Sequence, residues 1–295
     1  MTSLSYIAIT PARDEVQNLP RLAESLADQV ARPLRWIVVD DGSTDGTSDL
    51  VRELAGRYGF VELAAIERES GIVRGQPVVE AFEHGVRACS SLPDVVVKLD
   101  ADTSFGSEYF QQLLQRFEED PLLGIASGTC FELDPDDVWR ERPMVGANAW
   151  GATRAYRAAC LEAVLPLERA MGWDGVDAVK AQLSGWRIET FEDFGFRHHR
   201  LEGERDGSRW VAWAAQGRAS HYMGYAPLYV LLRALHNARR EPAALALIGG
   251  YASSLVRRAD TVSDPEVRRH LRRSQSVIRL AARAREATRP TRTAG

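Results

Sequence analysis

Apolar runs of strand length alternate with segments of helical periodicity through the first part of this chain, and that alternation restricts the fold more than any other feature. Residues 6–10 read as a short buried strand closed by Pro11, and residues 15–30 carry Leu19, Leu22, Leu26 and Val30 at helical spacing. Residues 34–39 read as a second strand, and a helix follows from about Thr47 with Leu50, Val51, Leu54 and Tyr58 on one face. Residues 60–65 form a third strand, and Val78, Val79, Phe82 and Val86 mark a third helix. Residues 95–99 form a fourth strand, and Phe110, Leu113, Leu114 and Phe117 mark a fourth helix. Strands separated by amphipathic helices build βαβ units, hence an α/β fold with a mostly parallel sheet flanked by helices. Ligands of such sheets sit beyond the carboxyl ends of the strands. The stretches found there, 11–15, 40–45 and 100–102, are rich in polar and acidic residues and are expected to converge on one edge.

The chain of 295 residues is long enough for one large α/β domain and a helical appendage. Its 45% apolar and 26% charged residues exclude the disordered and fibrous classes. From Arg257 to the end, eleven arginines stand against four acidic side chains, although the net charge is −4. The remainder is therefore acidic, and nucleic-acid binding by the main domain is not expected. Cys89, Cys130 and Cys160 are scattered and odd in number, which fits a reducing compartment and excludes a disulfide framework or a CxxC-type zinc site. The amino terminus has no basic n-region, and no run reaches the roughly 18–20 apolar residues that span a bilayer. The longest candidate, 243–256, is interrupted by Gly249, Gly250, Ser253 and Ser254. A cytoplasmic protein is expected.

The strongest local signal is Lys98-Leu99-Asp100-Ala101-Asp102. An apolar run delivers two carboxylates to a strand end, where both can reach one ion. Mg²⁺ or Mn²⁺ takes one or two carboxylates and completes its shell with phosphate and water. A solvated turn is the competing reading. In Val38-Val39-Asp40-Asp41-Gly42-Ser43-Thr44-Asp45-Gly46-Thr47, Asp41 is suited to accept hydrogen bonds from a base N–H or a ribose, and Gly42 lets the turn bend tightly. Thr44, Asp45 or Thr47 would cap the next helix, and an ordinary Asx turn accounts for the same residues. Thr10-Pro11-Ala12-Arg13-Asp14-Glu15 stands where a dinucleotide fold carries G-x-G-x-x-G, so NAD or FAD is not expected. Gly71-Ile72-Val73-Arg74-Gly75-Gln76 offers backbone N–H groups and Arg74 to a pyrophosphate, or is a plain loop.

In this order the segments resemble the family 2 glycosyltransferases, whose catalytic domain has the GT-A fold. The resemblance covers about residues 5–200 and is carried by P-A-R-D-E, V-V-D-D-G-S-T-D-G-T and K-L-D-A-D. It implies that Pro11, Arg13, Glu15 and Asp41, with Asp40 nearby, hold the nucleoside. Asp100 and Asp102 would hold a metal–diphosphate, with Mg²⁺ or Mn²⁺ as cofactor, and Lys98 and Arg74 join the donor site. The implied donor is a UDP-, GDP- or dTDP-linked sugar. The family's catalytic base comes from an acidic motif at a helix start, usually Glu-Asp, with a Gly-aromatic pair eleven residues on. Gly172-Trp173-Asp174-Gly175-Val176-Asp177-Ala178-Val179-Lys180 followed by Gly185-Trp186 matches that pattern, although Trp173 replaces the usual Glu and Lys180 the usual Arg. Asp174 is the expected base, Asp177 its competitor, and one of them would cap the helix. His198, in His198-His199-Arg200 after a strand at 188–192 and a loop at 193–197, would approach the metal; a surface basic cluster is the alternative.

The resemblance thus implies an inverting glycosyltransferase that moves a sugar onto an acceptor hydroxyl, in polysaccharide or glycolipid synthesis. The expected division is a catalytic domain over 1–203, helices over 204–285 and a disordered tail over 286–295. The arginine-rich helix after Pro265 suits either peripheral contact with an anionic membrane, with a lipid-linked acceptor, or a solvated face. Two other functions compete. A sugar-nucleotide pyrophosphorylase would carry a glycine-rich basic signature after strand one, which 11–15 is not. A non-catalytic sugar-nucleotide-binding protein on the same fold would bind a nucleotide without turnover.

Overall fold

The computed structural model describes residues 3–66, 75–134, 136–144, 148–200, 208–239, 241–274 and 292–294. Strands β1 (Tyr6–Ala12), β2 (Trp36–Asp40), β3 (Val61–Ala65) and β4 (Val95–Leu99) pair in parallel in the order β3-β2-β1-β4. Helices α1 (Leu19–Ala27), α2 (Thr47–Arg57) and α3 (Gln76–Arg87) connect them. These are the expected βαβ units of an α/β fold. Because strand side chains alternate between faces, Tyr6, Ala8, Trp36 and Val38 enter one core with α1, α2 and α4 (Tyr109–Glu119). Ile7, Ile9, Ile37 and Val39 enter a second core with Val79 and Phe82 of α3.

Beyond β4 the sheet becomes mixed. β5 (Thr103–Phe105) is short, and β6 (Leu123–Leu133), β7 (Trp139–Arg142) and β8 (Thr153–Arg157) extend the order as β7-β6-β8-β4, each pairing antiparallel. Helices α5 (Ala158–Val164) and α6 (Trp173–Leu183) follow, and then β9 (Arg187–His198). β9 lies parallel to β6 and antiparallel to β5.

Three boundaries differ from expectation for identifiable reasons. β1 continues through Pro11, which pairs with Val39 of β2, because pairing with β4 stops at Ile9 and the proline's missing N–H leaves no gap on that side. The helix read over 15–30 spans only Leu19–Ala27, and Val30 is 57% exposed beyond its end. Residues 193–197, read as a loop, belong to β9: the register against β6 jumps from Gly128↔Phe191 to Thr129↔Gly195, so a bulge absorbs the polar stretch and pairing resumes.

Among the described residues, helices α7 (Arg209–Tyr222), α8 (Pro227–Ala238), α9 (Ala246–Val256) and α10 (Pro265–Ser274) follow, with a 3-10 turn at Pro242–Leu245. Val267 and Leu271 of α10 pack with Val176 and Val179 of α6, so these helices are anchored on the sheet-bearing part. The tail expected to be disordered contributes Thr293–Ala294 as β10, antiparallel to β7. Residues 275–285 of the expected helical stretch, Gly71 to Arg74, and the expected domain junction at 203 fall outside the described residues. Among the described residues no helix is long and apolar enough to cross a membrane.

Candidate active site

The first two strand-end loops are stapled to each other. Asp14 adopts φ 54°, its N–H donates to Ser43 Oγ (2.9 Å), and its Oδ1 accepts from the Thr44 N–H (2.8 Å). The N–H of Glu15 donates to Thr47 Oγ1 (2.9 Å) and that of Val16 to Asp45 Oδ2 (3.1 Å). Asp40 is used up within its own turn: Oδ1 accepts from the N–H (2.9 Å) and hydroxyl (2.6 Å) of Ser43, and Oδ2 from Ser48. Asp41, by contrast, lines a cleft together with Pro11 and Arg13. Of the expected nucleoside residues, Asp40 therefore shapes the loop and stays out of the lining.

The register of β9 explains the acidic cluster. His198 pairs with Thr103 on one side and Glu132 on the other, which sets its ring beside the end of β4. Its Nε2 lies 3.3 Å from Asp102 Oδ1 and its Nδ1 3.4 Å from Glu132 Oε1. Burial alone would lower its pKa, but hydrogen bonds to Asp102 and Glu132 outweigh it and hold it at about 9. Burial would likewise raise Asp102, yet the partnership with His198 and Arg200 keeps its carboxyl below the usual range. Asp100 goes the other way, raised by burial and by Asp102 although the Lys98 ammonium opposes it. Lys98 is itself buried, donates to Asp100 and to the Gly151 carbonyl (2.9 Å), and lies 5.7 Å from the Trp173 ring centroid.

Asp100, Asp102 and His198 each offer a ligand atom, all within 4.8 Å of one another. Two carboxylates and an imidazole, which would give up its proton on binding and whose other nitrogen leans on a carboxylate, form a donor set that suits a divalent cation. Cys130, Glu132 and His198 form an overlapping group. Arg200 closes the cluster. Its guanidinium binds Glu15 through both oxygens (3.0 and 2.9 Å) and lies 3.3 Å from Asp102. Glu15 thus faces the acidic cluster, tied to a residue 185 positions away. Sequence reasoning missed Arg200 and Glu132; the available signal was the whole His198-His199-Arg200 triplet, of which it took only the first member.

Helix α6 delivers the other carboxylates. Gly172, at φ 92°, turns the chain into it, a conformation glycine adopts without a Cβ penalty. Asp174 sits in the first turn, where the helix dipole favours a negative charge. Asp177 is 1% exposed and accepts from Arg154 Nε (3.0 Å) and Nη2 (2.6 Å) and from the Tyr156 hydroxyl. Burial pushes its pKa up to about 6 even with the Arg154 guanidinium beside it.

Two cavities meet at this helix start. The smaller, about 390 Å³, is lined by Glu15, Lys98, Asp100, Asp102, Glu132, His198 and Arg200. The larger, about 870 Å³, takes Pro11, Arg13 and Asp41 from the strand ends and Gln216, Met223, Tyr225 and Arg233 from the helices. Trp150, Gly151, Trp173 and Asp174 are among the residues that line both, so Asp174 stands where the two cavities meet. The indole N–H of Trp150 is buried there with no acceptor among the described residues, as a donor awaiting a ligand oxygen would be. Asp177 lines neither cavity.

The family model described as glycosyl transferase family 2 matches residues 7–163, just over half of the chain. Among curated proteins, the 4,4'-diaponeurosporenoate glycosyltransferase of Staphylococcus haemolyticus is 27% identical over 127 residues, 43% of this chain and 32% of the relative. The undecaprenyl-phosphate 4-deoxy-4-formamido-L-arabinose transferase of Pseudomonas syringae is 28% identical over 179 residues, 55% of this chain and 50% of the relative. The chain thus spans half or less of the length of these relatives. Among solved structures, a mannosyltransferase from Pyrobaculum calidifontis in complex with GDP-Man and Mn²⁺ aligns with TM-score 0.58 at 17% identity, over 96% of this chain and 84% of its own. S. aureus TarS 1–349 in complex with UDP-GlcNAc aligns with TM-score 0.58 at 16% identity, over 96% and 88%. The fold they share with this chain is GT-A.

Proposed function

Because the chain belongs to glycosyl transferase family 2, we propose that it transfers a glycosyl group, with inversion, from a nucleoside-diphosphate sugar to an acceptor hydroxyl. The observation that carries this is the position of Asp174, the one carboxylate of α6 in the lining of both cavities. A donor seated with its diphosphate at the Asp100–Asp102–His198 cluster and its nucleoside toward Pro11, Arg13 and Asp41 would present its anomeric carbon near that junction. An acceptor in the part of the larger cavity lined by Gln216, Met223, Tyr225 and Arg233 then meets the carbon from the side opposite the diphosphate.

Asp174 takes the proton of the acceptor hydroxyl as its oxygen bonds to the anomeric carbon and the bond to the diphosphate breaks. A base so placed contributes roughly 10²–10⁴-fold. Asp100, Asp102 and His198 would hold Mg²⁺ or Mn²⁺, which when bound neutralises the charge growing on the leaving diphosphate. Lys98 holds Asp100 in place, Arg200 braces Glu15 and Asp102, and the orphan Trp150 N–H is available to a donor oxygen.

A lipid-linked acceptor in glycolipid or polysaccharide synthesis is supported by the name of the undecaprenyl-phosphate transferase relative and by the apolar lining that Met144, Met171 and Met223 give the larger cavity. Peripheral contact through the basic C-terminal helices would bring such an acceptor within reach. The catalytic unit is residues 1–203, with the following helices as an accessory. A thermal-shift screen of nucleoside diphosphates and their sugars, with and without Mn²⁺, tests the donor assignment, since a ligand of the folded state raises the melting point. A metal-dependent shift with at least one of them is expected. No shift with any overturns the proposal, and binding without turnover of any donor leaves a sugar-nucleotide-binding protein instead.

A further inference from the structure

Helix α8 carries an apolar face on the outside of the protein. Leu228, Leu231, Leu232 and Leu235 are between 40% and 57% exposed. Their spacing gathers them on one side of the helix, while Val230 and Ala234 on the other side are buried with Leu247 of α9. Two more exposed apolar side chains lie close in sequence to residues tied to the helix end. The Glu241 N–H donates to the Asn237 carbonyl in the last turn of α8, and the Glu241 carboxylate pairs with Arg209, the neighbour of Trp210. Trp210 is 54% exposed and Leu245, four residues after Glu241, is 43% exposed.

The stretch that carries this face is rich in arginine. From Ser208 to the end of α10 at Ser274 the sequence has eleven arginines against four acidic residues, Glu241, Asp260, Asp264 and Glu266, in a chain whose net charge is −4. At the start of α8, Arg268, Arg269, Arg272 and Arg273 of α10 border a further cavity, and Arg272 Nε donates to the Gly224 carbonyl (3.2 Å) just ahead of Pro227. Arg239 Nη1 donates to the Leu235 carbonyl (3.2 Å) at the end of α8, and exposed leucines on an arginine-rich stretch match a surface that is apolar within and anionic at its rim. A second copy of the chain matches poorly, because a two-fold contact would set arginines against arginines.

We propose that this face of α8 seats the protein on an anionic bilayer, with the leucines at the boundary of headgroups and acyl chains and the arginines against lipid phosphates. The inference deepens the proposed function, resting on it for the origin of the acceptor alone: α8 also lends Arg233 to the lining of the larger cavity, so an acceptor held in that bilayer would approach from the same helix.

Flotation of the full chain with phosphatidylcholine vesicles, with and without phosphatidylglycerol, tests it. The wild type is expected to float with the anionic vesicles and not with the neutral ones. The double substitution Leu231→Ser/Leu235→Ser should weaken that binding at least about tenfold, and Arg269→Gln/Arg273→Gln should weaken it in a salt-dependent way. Calorimetric binding of nucleoside diphosphates, unchanged in the variants, controls for folding and reports on the donor site separately, so its failure in the wild type would count against the proposed function and leave the vesicle result readable. Failure of the wild type to float, equal binding to neutral and anionic vesicles, or full binding by the leucine variant overturns the proposal. A dimer that the leucine substitutions dissociate, without vesicle binding, assigns the face to a second copy instead.

Discussion

Nη2 of Arg154 lies 2.6 Å from Oδ1 of Asp177, and both side chains are sealed from solvent. The same nitrogen donates to the main-chain carbonyl of Asp174 (2.9 Å), and Arg154 Nη1 also reaches the Asn148 side chain (3.3 Å). The pair thus fixes the first turn of α6 and the loop before β8 from within. Asp177 spends its carboxylate on this task. Asp174, less than one turn earlier, keeps its own in the cleft.

Removing one partner of such a pair strands the other charge. Asp177→Ala is expected to destabilise the protein by about 3–5 kcal/mol, measured by urea unfolding. Replacing both residues by apolar ones, Arg154→Met with Asp177→Leu, removes the stranded charge and should recover most of that loss. A double variant as unstable as the single one would mean that the hydrogen bonds to Asn148 and Asp174, more than the charge pair, hold this region.

Asp174→Asn keeps the size of the side chain and removes its basicity. Affinity for the nucleoside-diphosphate sugar should stay the same while kcat falls by about 10² or more. Near-wild-type turnover would take the role of base away from Asp174.

The parallel half of the sheet was legible because β1 to β4 are apolar runs ending in charged or turn-forming residues, with amphipathic helices of ordinary length between them. The strand-end loops were legible for the same reason, so the sequence alone sets Asp41, Asp100 and Asp102 at strand ends. Less could be read beyond Leu123. The bulge of β9 hides polar residues inside a strand, which made 193–197 read as a loop and concealed the register that sets His198 against Glu132. Arg200 bonds Glu15 across 185 positions, a separation that no local pattern reports. Asp40 and Asp177 illustrate the opposite limit: sequence spacing shows that a carboxylate is near a site but not whether its oxygens are already occupied, by Ser43 and Ser48 in one case and by Arg154 in the other.

Helices α7 and α9 approach closely enough that their backbones touch through two glycines. A Cβ on Gly217 would fall 2.1 Å from the Leu247 carbonyl oxygen, and one on Gly250 would fall 1.9 Å from that of Ala214. Gly217→Ala must therefore push the helices apart and should cost about 1–3 kcal/mol or more by thermal unfolding. Gly249→Ala, next to Gly250 but with open space around it, serves as the control and should not lower the melting point. Equal effects at the two positions would contradict the close approach.

Asp102 bears most directly on how the donor is held, since it stands between His198 at 3.3 Å and Arg200 at 3.3 Å in the smaller cavity. The decisive measurement is calorimetric titration of wild type and Asp102→Asn with nucleoside diphosphates, each with and without Mn²⁺. In the wild type Mn²⁺ should tighten binding of at least one of them by about tenfold or more, and in Asp102→Asn that gain should vanish. An unchanged affinity and metal response in the variant would contradict a donor diphosphate held through a cation at this cluster.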